Sequence, residues 1–204
     1  REGIQGGNVT DNAPLRAGKG SLYEGGTRVP MIVRWPGQVP AGSTSDVPTI
    51  HVDFYPTLAA LAGAKLPAPE KQILDGENLL PLWRQERKEL SREAIYQHFP
   101  GYLGAGGDTF RTMPVSLIRA GDWKLMEFIE DGRLELYNLR RDIGETTNLV
   151  NAEPQRTKEL HAKLQAWRKN IGAPMPTPNP NAGKDAAVAA GAEKKKKGAK
   201  KAAP

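Results

Sequence analysis

The sequence predicts an α/β layer followed by a small α+β subdomain, in which an antiparallel sheet packs on a C-terminal helix. Two observations indicate this fold class. In the first half of the chain, a short apolar run, a loop and an amphipathic stretch follow one another, as at the edge of an α/β layer. In the second half, short apolar runs alternate with turn sequences and lead into one long helical pattern. The α/β layer is predicted to lie in residues 1–90 and the antiparallel-sheet subdomain with its helix in residues 91–172. Residues 173–204 are predicted to be a tail.

The first half contains one predicted strand and one predicted helix. The apolar run from Val29 to Trp35 in VPMIVRWPG is short and β-branched and ends at Pro-Gly, so we expect a buried strand. In HVDFYPTLAALAGA we expect a helix that Asp53 caps and Gly63 ends. The apolar residues of this helix have the spacing of one buried face, and they are Tyr55, Leu58, Ala59 and Ala62.

The second half predicts an antiparallel meander and a closing helix. REAIYQHF is typical of a strand, and PGYLGAGGDTFRTM is expected to be the loop after it. Three further strands, VSLIRA, WKLMEFI and RLELYNL, are separated by Ala-Gly-Asp and by Asp131-Gly132, a strong hairpin signal. The final helix is expected to start near Pro154 and to end at Gly172. Its apolar residues recur at helical spacing, as Leu160, Leu164, Trp167 and Ile171.

Most of the net positive charge lies in the last residues of the chain, 173–204. This stretch holds seven lysines against Asp185 and Glu193, so the net charge of +6 leaves the rest of the chain close to neutral. Its Pro, Ala, Gly and Lys content predicts a disordered, solvated tail, with binding to an acidic polymer or a membrane surface as the alternative. A near-neutral body argues against nucleic acid as a partner. No apolar run is long enough to span a membrane, and the lack of cysteine excludes thiolate metal ligands within these residues.

The stretch PLRAGKGSLYEGGTRVP, residues 14–30, places Lys19 between two glycines. It is not a nucleotide P-loop of the form GxxxxGK[ST], because Gly20 stands where a hydroxyl residue is needed. Glycines let a backbone approach a ligand closely, and lysine supplies a compact positive charge. These residues alone leave two interpretations open, a ligand-binding lysine and a solvated lysine on a surface loop, and they favour the second.

Five blocks of this sequence, taken in order, resemble the type I sulfatases, the arylsulfatase-like enzymes of the alkaline phosphatase superfamily. The blocks are PLRAGKGSLYEGGTRVPMIVRWPG, VDFYPTLAALAG, DGENLLPLW, IRAGDWKLMEF and LYNLRRDIGETTNLV. The resemblance runs from about Ala13 to Gly172. It implies the end of an alkaline-phosphatase-like α/β domain, followed by the antiparallel subdomain, in a sulfuric ester hydrolase.

The resemblance also implies a formylglycine nucleophile, made from Cys or Ser in a C/S-x-P-x-R motif, and a divalent cation that is usually Ca²⁺. Neither this motif nor the paired aspartates of the metal site occurs in the 204 residues. Asp11-Asn12 is expected to be a loop element and not the family's Asp-Asn metal pair, because it lies only seven residues before Lys19. We therefore expect the C-terminal part of a sulfatase, with the Ca²⁺ ligands, the formylglycine and an N-terminal partner portion outside this chain.

The site residues that the resemblance implies lie in two loops. Lys19 takes the role of a lysine that contacts the sulfate, where a fixed ammonium stabilises the charge that develops as the S–O bond breaks. His98, assisted by Tyr102 and Arg111, is expected to bind the organic part of the substrate, although a histidine at a strand end is more often structural. The implied substrate is a sulfated small molecule or polysaccharide, and the implied location is periplasmic or extracellular, in a bacterium.

Four charged residues in the same blocks are expected to be structural. Glu24 and Arg28 flank the second glycine pair and are expected to tie backbone donors and partner side chains together. Asp142 and Glu145 have the spacing of a capping box in a tight turn.

Two other functional classes stay open on the sequence. One is a phosphatase or phosphodiesterase of the same superfamily with a different nucleophile. The other is a non-catalytic module that binds acidic polymers through its lysine tail, which would show a salt-dependent affinity.

Overall fold

The computed structural model describes residues 11–68, 70–106, 109–178 and 180. The residues up to Ala173 form one compact unit, and those from Pro174 onward belong to a second. The predicted tail, 173–204, lies largely outside the described residues. The predicted division near residue 90 stays a prediction.

Short helices come first in the described part of the first unit, the strands follow, and one long helix closes it. The helices are α1 (Glu24–Thr27), α2 (Phe54–Leu61), α3 (Leu80–Trp83) and α4 (Pro154–Asn170). The strands are β1 (Ile95–Phe99), β2 (Leu103–Gly106), β3 (Thr109–Thr112), β4 (Val115–Ala120), β5 (Trp123–Phe128) and β6 (Leu134–Asn138).

A four-stranded antiparallel sheet in the order β1-β4-β5-β6 forms the centre of the unit. Tight turns join β4 to β5 and β5 to β6, and Gly121 and Gly132 in these turns have φ angles of 56° and 69°. Glycine adopts such angles without steric cost, so the turns fall where the glycine-containing turn sequences predict them. The predicted meander and the fold class that includes it are confirmed.

Helix α4 covers one face of this sheet. The contact is made by buried aliphatic side chains from both layers, namely Ile118, Leu125, Leu136, Leu160 and Leu164. The ring of Trp167 stacks on Tyr96 of β1, with 4.8 Å between the ring centroids. Ile171, which the helical pattern included, lies beyond the helix end and is exposed. The closing helix is otherwise confirmed, and it is held by apolar burial worth about 1.5–3 kcal/mol for each fully buried side chain.

The opposite face of the sheet is covered by the loop that carries Lys19. On this face of the sheet, buried side chains pack around Tyr23 of that loop. They are Val115, Leu117, Met126, Phe128, Tyr137 and Leu139. Side chains along a strand alternate between the two faces, so this set is out of phase with the set under α4. The sheet therefore separates α4 from the glycine-rich loop.

The stretch between β1 and β4, expected as a loop, contains the two-stranded sheet of β2 and β3. These strands pair antiparallel with irregular register around Gly104. The sequence pattern did not indicate them, because the stretch is glycine-rich and has little alternation of apolar and polar residues. This hairpin brings Arg111 close to the loop that carries Lys19.

The predicted strand from Val29 to Trp35 was wrong for this structure. The segment is irregular, and the side chains of Val29 and Ile32 are 80% and 92% exposed. A strand needs a neighbour for its backbone N–H and C=O groups, and the described part of the chain has no strand beside this segment. The segment therefore has no strand partner here, and its residues Val29 and Ile32 are exposed.

The predicted helix after Asp53 exists, but the face that was expected to be buried is exposed. Tyr55 is 52% and Leu58 is 58% exposed, whereas Pro56 and Thr57 are buried. The helix ends at Leu61, and Gly63 follows with a φ of 64°, as the sequence predicts. The helical spacing identified the element correctly, but its apolar face has no covering layer among the described residues.

Asp53 does not cap α2 with its side chain, which was the predicted role. Its fully buried carboxylate forms a bidentate ion pair with Arg92, with Nη1–Oδ1 and Nη2–Oδ2 distances of 2.7 and 2.9 Å. It also accepts the backbone N–H groups of Ile50, at 2.8 Å, and Glu77, at 2.9 Å. Asp53 therefore joins the start of α2 to the segments before α3 and before β1.

Removal of the residues after Ala173 is expected to leave the first unit equally stable. Helix α4 is capped at its C-terminus by residues that the deletion keeps. Gly172 has a φ of 60°, and the N–H of Ala173 donates to Arg168 O at 2.9 Å. Thermal melts of the chain with 174–204 deleted should differ from the parent by less than about 2 °C. A deletion that begins at Trp167 also removes the stack on Tyr96 and should lower the melting temperature clearly. Equal effects of the two deletions would contradict this prediction.

Candidate active site

Lys19 stands at the corner of a tight turn and is exposed. The N–H of Ser21 donates to the carbonyl of Gly18 at 3.1 Å, which places Lys19 and Gly20 at the two central positions. Gly20 has a φ of 95°, so the turn requires glycine at this position. Within the described residues, the Lys19 ammonium has no hydrogen bond or ion pair. The glycine loop, defined here as residues 14–28, thus presents the unpaired ammonium of Lys19 to solvent.

The tip of the glycine loop is held by the β2–β3 hairpin. The Thr112 hydroxyl donates a short hydrogen bond to the carbonyl of Gly20. A Cβ atom on Gly20 would lie 2.9 Å from Arg111 Cδ and 2.9 Å from Leu103 Cδ2, so the hairpin side chains fit only against a bare backbone. The structure therefore brings Arg111 next to the turn that carries Lys19.

The base of the glycine loop folds back on itself at the pair Gly25-Gly26. The N–H of Gly25 donates to the carbonyl of Arg16 at 2.9 Å. A Cβ on Gly25 would lie 2.4 Å from Ala17 O, and one on Gly26 would lie 2.1 Å from Ser21 O. Any other residue would push the two sides of the loop apart, so this glycine pair sets its width.

A buried ion cluster lies beneath this base. Lys124 of β5 is 1% exposed, and its Nζ lies 3.0 Å from Glu24 Oε1 and 2.8 Å from Glu145 Oε1. The second carboxylate oxygen of Glu145 accepts the backbone N–H of Glu24 at 2.6 Å. Arg119 and Arg28 approach the other oxygen of Glu24, at 3.9 and 3.5 Å. We call Glu24, Lys124 and Glu145 the base cluster.

The two carboxyl groups of the base cluster have opposite pKa shifts. Burial by itself raises the pKa of Glu24, but the charge and the hydrogen bond of Lys124, with Arg119 and Arg28, outweigh burial and bring this pKa below its ordinary value. Burial raises the pKa of Glu145 above its ordinary value, although Lys124 opposes the shift. The predicted structural roles of Glu24 and Arg28 are confirmed. The predicted capping box is not, since the Glu145 carboxylate turns inward to Lys124 and Glu24.

A second buried network ties Arg16 to the sheet. Its guanidinium lies over the ring of Tyr23, 3.8 Å from the centroid, and donates to Tyr137 Oη at 3.0 Å and Glu145 O at 3.0 Å. The hydroxyls of Tyr23 and Tyr137 both donate to Glu135 Oε2, each at 2.8 Å. Burial, followed by the charge of Glu135, raises the pKa of Tyr23 above its ordinary value, so both phenols stay neutral donors.

His98 lies on the other side of the sheet from the glycine loop. It pairs with Ser116 across β1 and β4, and its Nδ1 lies 2.7 Å from Ser116 Oγ. The same hydroxyl accepts from Arg168 of α4 at 3.2 Å, and Arg168 also pairs with Glu127 at 2.6 Å. His98 therefore faces the closing helix, and its role in substrate binding stays a prediction.

Tyr102 lies on the exposed side of the β2–β3 hairpin. Its hydroxyl donates to Glu130 Oε1 at 2.5 Å, which links the hairpin to the turn between β5 and β6. Of the four site residues that were predicted, the structure places Lys19 and Arg111 together, Tyr102 at the start of the same hairpin, and His98 apart from them. Their roles toward a substrate stay predictions.

Asp11 and Asn12 act as loop residues in the structure. Asp11 Oδ1 accepts the N–H of Ala13 at 2.9 Å, and Asn12 Nδ2 donates to the carbonyls of Ala17 and Gly25 at 3.4 and 3.3 Å. Asp11 and Asn12 therefore use these side-chain atoms in hydrogen bonds within the loop. Over the described ranges, no three His, Cys, Asp or Glu side chains come together in a way that would hold a metal ion.

Sequence reasoning missed the base cluster, although one signal was present. In WKLMEF, Lys124 has the same phase as Met126 and Phe128, which face the glycine loop. A lysine in phase with buried residues of a central strand needs a buried partner. The carboxylates that serve this purpose are far away in the sequence, so the pattern indicated the need for a partner but not which residues meet it.

The chain matches a known protein family over most of its length. A family model described as N-sulphoglucosamine sulphohydrolase, C-terminal, matches residues 18–170. The chain belongs to the type I sulfatase family. The match is to the C-terminal portion of these proteins, as the five sequence blocks indicate.

Relatives and solved structures agree with this assignment. A sulfatase of Formosa agariphila is 43% identical over 177 residues, which cover 81% of this chain and 31% of the relative. The crystal structure of Ps i-CgsB in complex with k-i-k-neocarrahexaose has a TM-score of 0.62 at 34% identity, over 77% of this chain and 32% of that one. The structure of BT4656 with its substrate D-glucosamine-2-N,6-O-disulfate has a TM-score of 0.56 at 30% identity, over 68% and 27%. The chain spans about a third of the length of such relatives.

None of the helices in the described ranges combines the length and the apolar character that crossing a bilayer requires.

Proposed function

We propose that this chain forms the C-terminal part of a sulfuric ester hydrolase and supplies the lysine that binds the sulfate group of the substrate. The observation that carries the proposal is the geometry of Lys19, an exposed ammonium on a rigidly held turn with no counter-ion among the described residues. A fixed, unpaired charge is what stabilisation of a developing anion needs, because the site does not have to reorganise during the reaction.

The residues around Lys19 explain how this charge is kept in place. The turn is held at its tip by Thr112 and at its base by the glycine pair and the base cluster. Arg111 packs against Gly20 and adds a second positive group beside the turn. During cleavage of the S–O bond, Lys19 holds the sulfate oxygens and balances the negative charge that they and the bridging oxygen acquire.

The nucleophile and the metal ion belong to the N-terminal portion in this proposal. The resemblance implies that a formylglycine would supply the nucleophile and that a divalent cation would bind the sulfate. No C/S-x-P-x-R motif occurs in the sequence, and no three His, Cys, Asp or Glu side chains of the described residues come together as a metal site. The contribution of this chain is to bind and orient the sulfate through Lys19 and to shape one wall of the substrate site.

The N-terminal portion is also the partner that we propose for the exposed apolar surface. Val29, Ile32 and the outer face of α2 are exposed. A cleft of about 1590 Å³ is lined by residues 27–51 and by the sheet residues Ile95, Gln97 and Leu117. Contiguous exposed apolar surface of this kind marks an interface, and a strand from the N-terminal portion would give the unpaired segment 29–35 its hydrogen-bond partner.

The proposed substrate is a sulfated small molecule or polysaccharide. Its organic part would lie along the β2–β3 hairpin, where Arg111 and Tyr102 offer polar contacts, with His98 as a further predicted contact. The substrate named for BT4656, a disulfated glucosamine, supports a sulfated sugar as the first compound to test. We further propose a periplasmic or extracellular location, which fractionation of the producing bacterium would test.

Turnover assays on the full-length protein test the proposed function. We expect hydrolysis of an aryl sulfate that a calcium chelator abolishes, and much slower hydrolysis of the matching aryl phosphate. The 204 residues alone should be inactive, because the nucleophile motif is absent from them. Preferential turnover of the phosphate would instead favour a phosphatase of the same superfamily. Turnover by the 204 residues alone would contradict the division of the site.

A further inference from the structure

The base cluster connects both ends of the glycine loop to one buried lysine. On the N-terminal side, Arg16 donates to the backbone carbonyl of Glu145 at 3.0 Å. On the C-terminal side, the N–H of Glu24 donates to the Glu145 carboxylate at 2.6 Å, and the Glu24 carboxylate meets Lys124 at 3.0 Å. The segment from Arg16 to Glu24, with Lys19 near its middle, is therefore closed at its base by Glu145 and Lys124.

The backbone of Glu145 shows that this arrangement is imposed by its surroundings. Glu145 has a φ of 52°, in the left-handed region that costs a non-glycine residue free energy. The conformation turns its side chain, which is fully buried, toward Lys124 and the N–H of Glu24. A strained residue persists only where neighbouring contacts compensate for it, and here these include Lys124, the N–H of Glu24 and the guanidinium of Arg16.

Lys124 is the cation that the two carboxylates of the cluster share. Glu24 and Glu145 share Lys124 as their common partner in the interior, whereas Arg119 and Arg28 approach only Glu24, at 3.9 and 3.5 Å. Without Lys124, Glu145 has no cation within ion-pair distance among the described residues, and two carboxylates face each other at low solvent exposure. Repulsion and desolvation then favour opening of the loop base.

We propose that Lys124 is a positioning residue for Lys19, because it holds Glu24 and Glu145 together and thereby fixes the base of the turn that presents the Lys19 ammonium. The inference rests on the proposed function for its effect on turnover. Its effect on the order of the loop does not depend on that function. Lys124 itself is buried on β5, and its ammonium is paired with Glu24 and Glu145.

A double-mutant cycle on the full-length protein tests this role, with Lys124→Met, Glu145→Gln and the two changes combined. Lys124→Met should lower kcat for an aryl sulfate about 10- to 100-fold at pH 7, since small displacements of a catalytic group cost this much. Glu145→Gln should cost less than about tenfold. The double variant should be no worse than Glu145→Gln, because removal of one carboxylate relieves the repulsion.

Two further measurements separate positioning from a general loss of stability. The kcat deficit of Lys124→Met should shrink as the pH falls from 7 to 5, because a proton shared by Glu24 and Glu145 substitutes for the lost cation. Amide hydrogen exchange in residues 16–26 should accelerate in Lys124→Met, while exchange in β6 stays slow. Asp53→Asn serves as the matched control, because it breaks a buried ion pair elsewhere and should lower the melting temperature without changing kcat or exchange in this loop.

Kinetics and hydrogen exchange together decide whether Lys124 positions Lys19. It is overturned if Lys124→Met keeps kcat within twofold with unchanged exchange, or if the losses from the two single changes simply multiply. Should Lys124→Met fail to fold, Glu145→Gln and the double variant still decide, because faster exchange in residues 16–26 is expected in both. If the parent protein has no sulfatase turnover, the proposed function fails, whereas exchange in residues 16–26 still decides whether Lys124 anchors the loop.

Discussion

Lys19→Ala in the full-length protein is expected to lose about 10²- to 10³-fold in aryl sulfate turnover while it folds normally. The rate should fall because one preorganised charge at a developing anion is worth this much. The melting temperature should stay within about 2 °C of the parent, since the side chain is exposed and has no hydrogen bond or ion pair among the described residues. Steady-state kinetics and thermal melts on the same preparations provide the measurement.

Two further lysine variants sharpen this result. Lys19→Arg should restore little of the turnover, because a planar guanidinium cannot take the place of a compact ammonium in a tight turn. Lys158→Ala is the matched control, since Lys158 is an exposed lysine on α4, on the opposite side of the sheet. It should be neutral in both measurements. Turnover of Lys19→Ala within threefold of the parent would remove Lys19 from the active site.

Asp53→Asn is expected to give the largest loss of stability, about 3–5 kcal/mol in the free energy of unfolding at pH 7. The change leaves the Arg92 guanidinium, which is largely buried, without its counter-ion, and truncation of one partner in a buried pair typically costs this much. It also weakens one of the two backbone hydrogen bonds to Ile50 and Glu77, because an amide offers only one acceptor oxygen. Urea unfolding measures the loss, and Asp46→Asn, at an exposed aspartate, should change it by less than about 0.5 kcal/mol.

The pH dependence of the same variant provides a second test. Burial by itself raises the pKa of Asp53, but the hydrogen bonds from Arg92 and from two backbone N–H groups hold it below its ordinary value. A carboxyl with a lowered folded-state pKa stabilises the protein above its unfolded pKa, near 4, and loses this contribution as the pH falls through the folded value. The difference between parent and Asp53→Asn should therefore narrow on acidification. A difference that stays constant from pH 7 down to pH 3 would show that the loss does not come from the ionised carboxylate.

Exposed apolar segments mark the limit of what local patterns predicted. Val29 to Trp35 has the composition of a buried strand, and Tyr55 and Leu58 have the spacing of a buried helix face. Yet Val29, Ile32, Tyr55 and Leu58 are exposed in the described structure. Hydrophobic spacing and β-branching indicate that a residue favours burial and a given backbone conformation. Whether a strand forms depends on a second strand, which the residue pattern of the segment itself does not contain.

The sequence by itself determined the β4-β5-β6 meander, the closing helix α4 and the loop that carries Lys19. These features depend on glycine positions and on spacings of two or of three to four residues, so all the information lies within about 20 residues of chain. Only the tertiary structure decided the partners of Lys124 and Asp53 and the face to which His98 belongs. Lys124 and Glu24 are 100 residues apart, and Asp53 and Arg92 are 39 apart. Buried charges must be paired wherever the chain brings a partner, and that position is set by the packing of the whole unit.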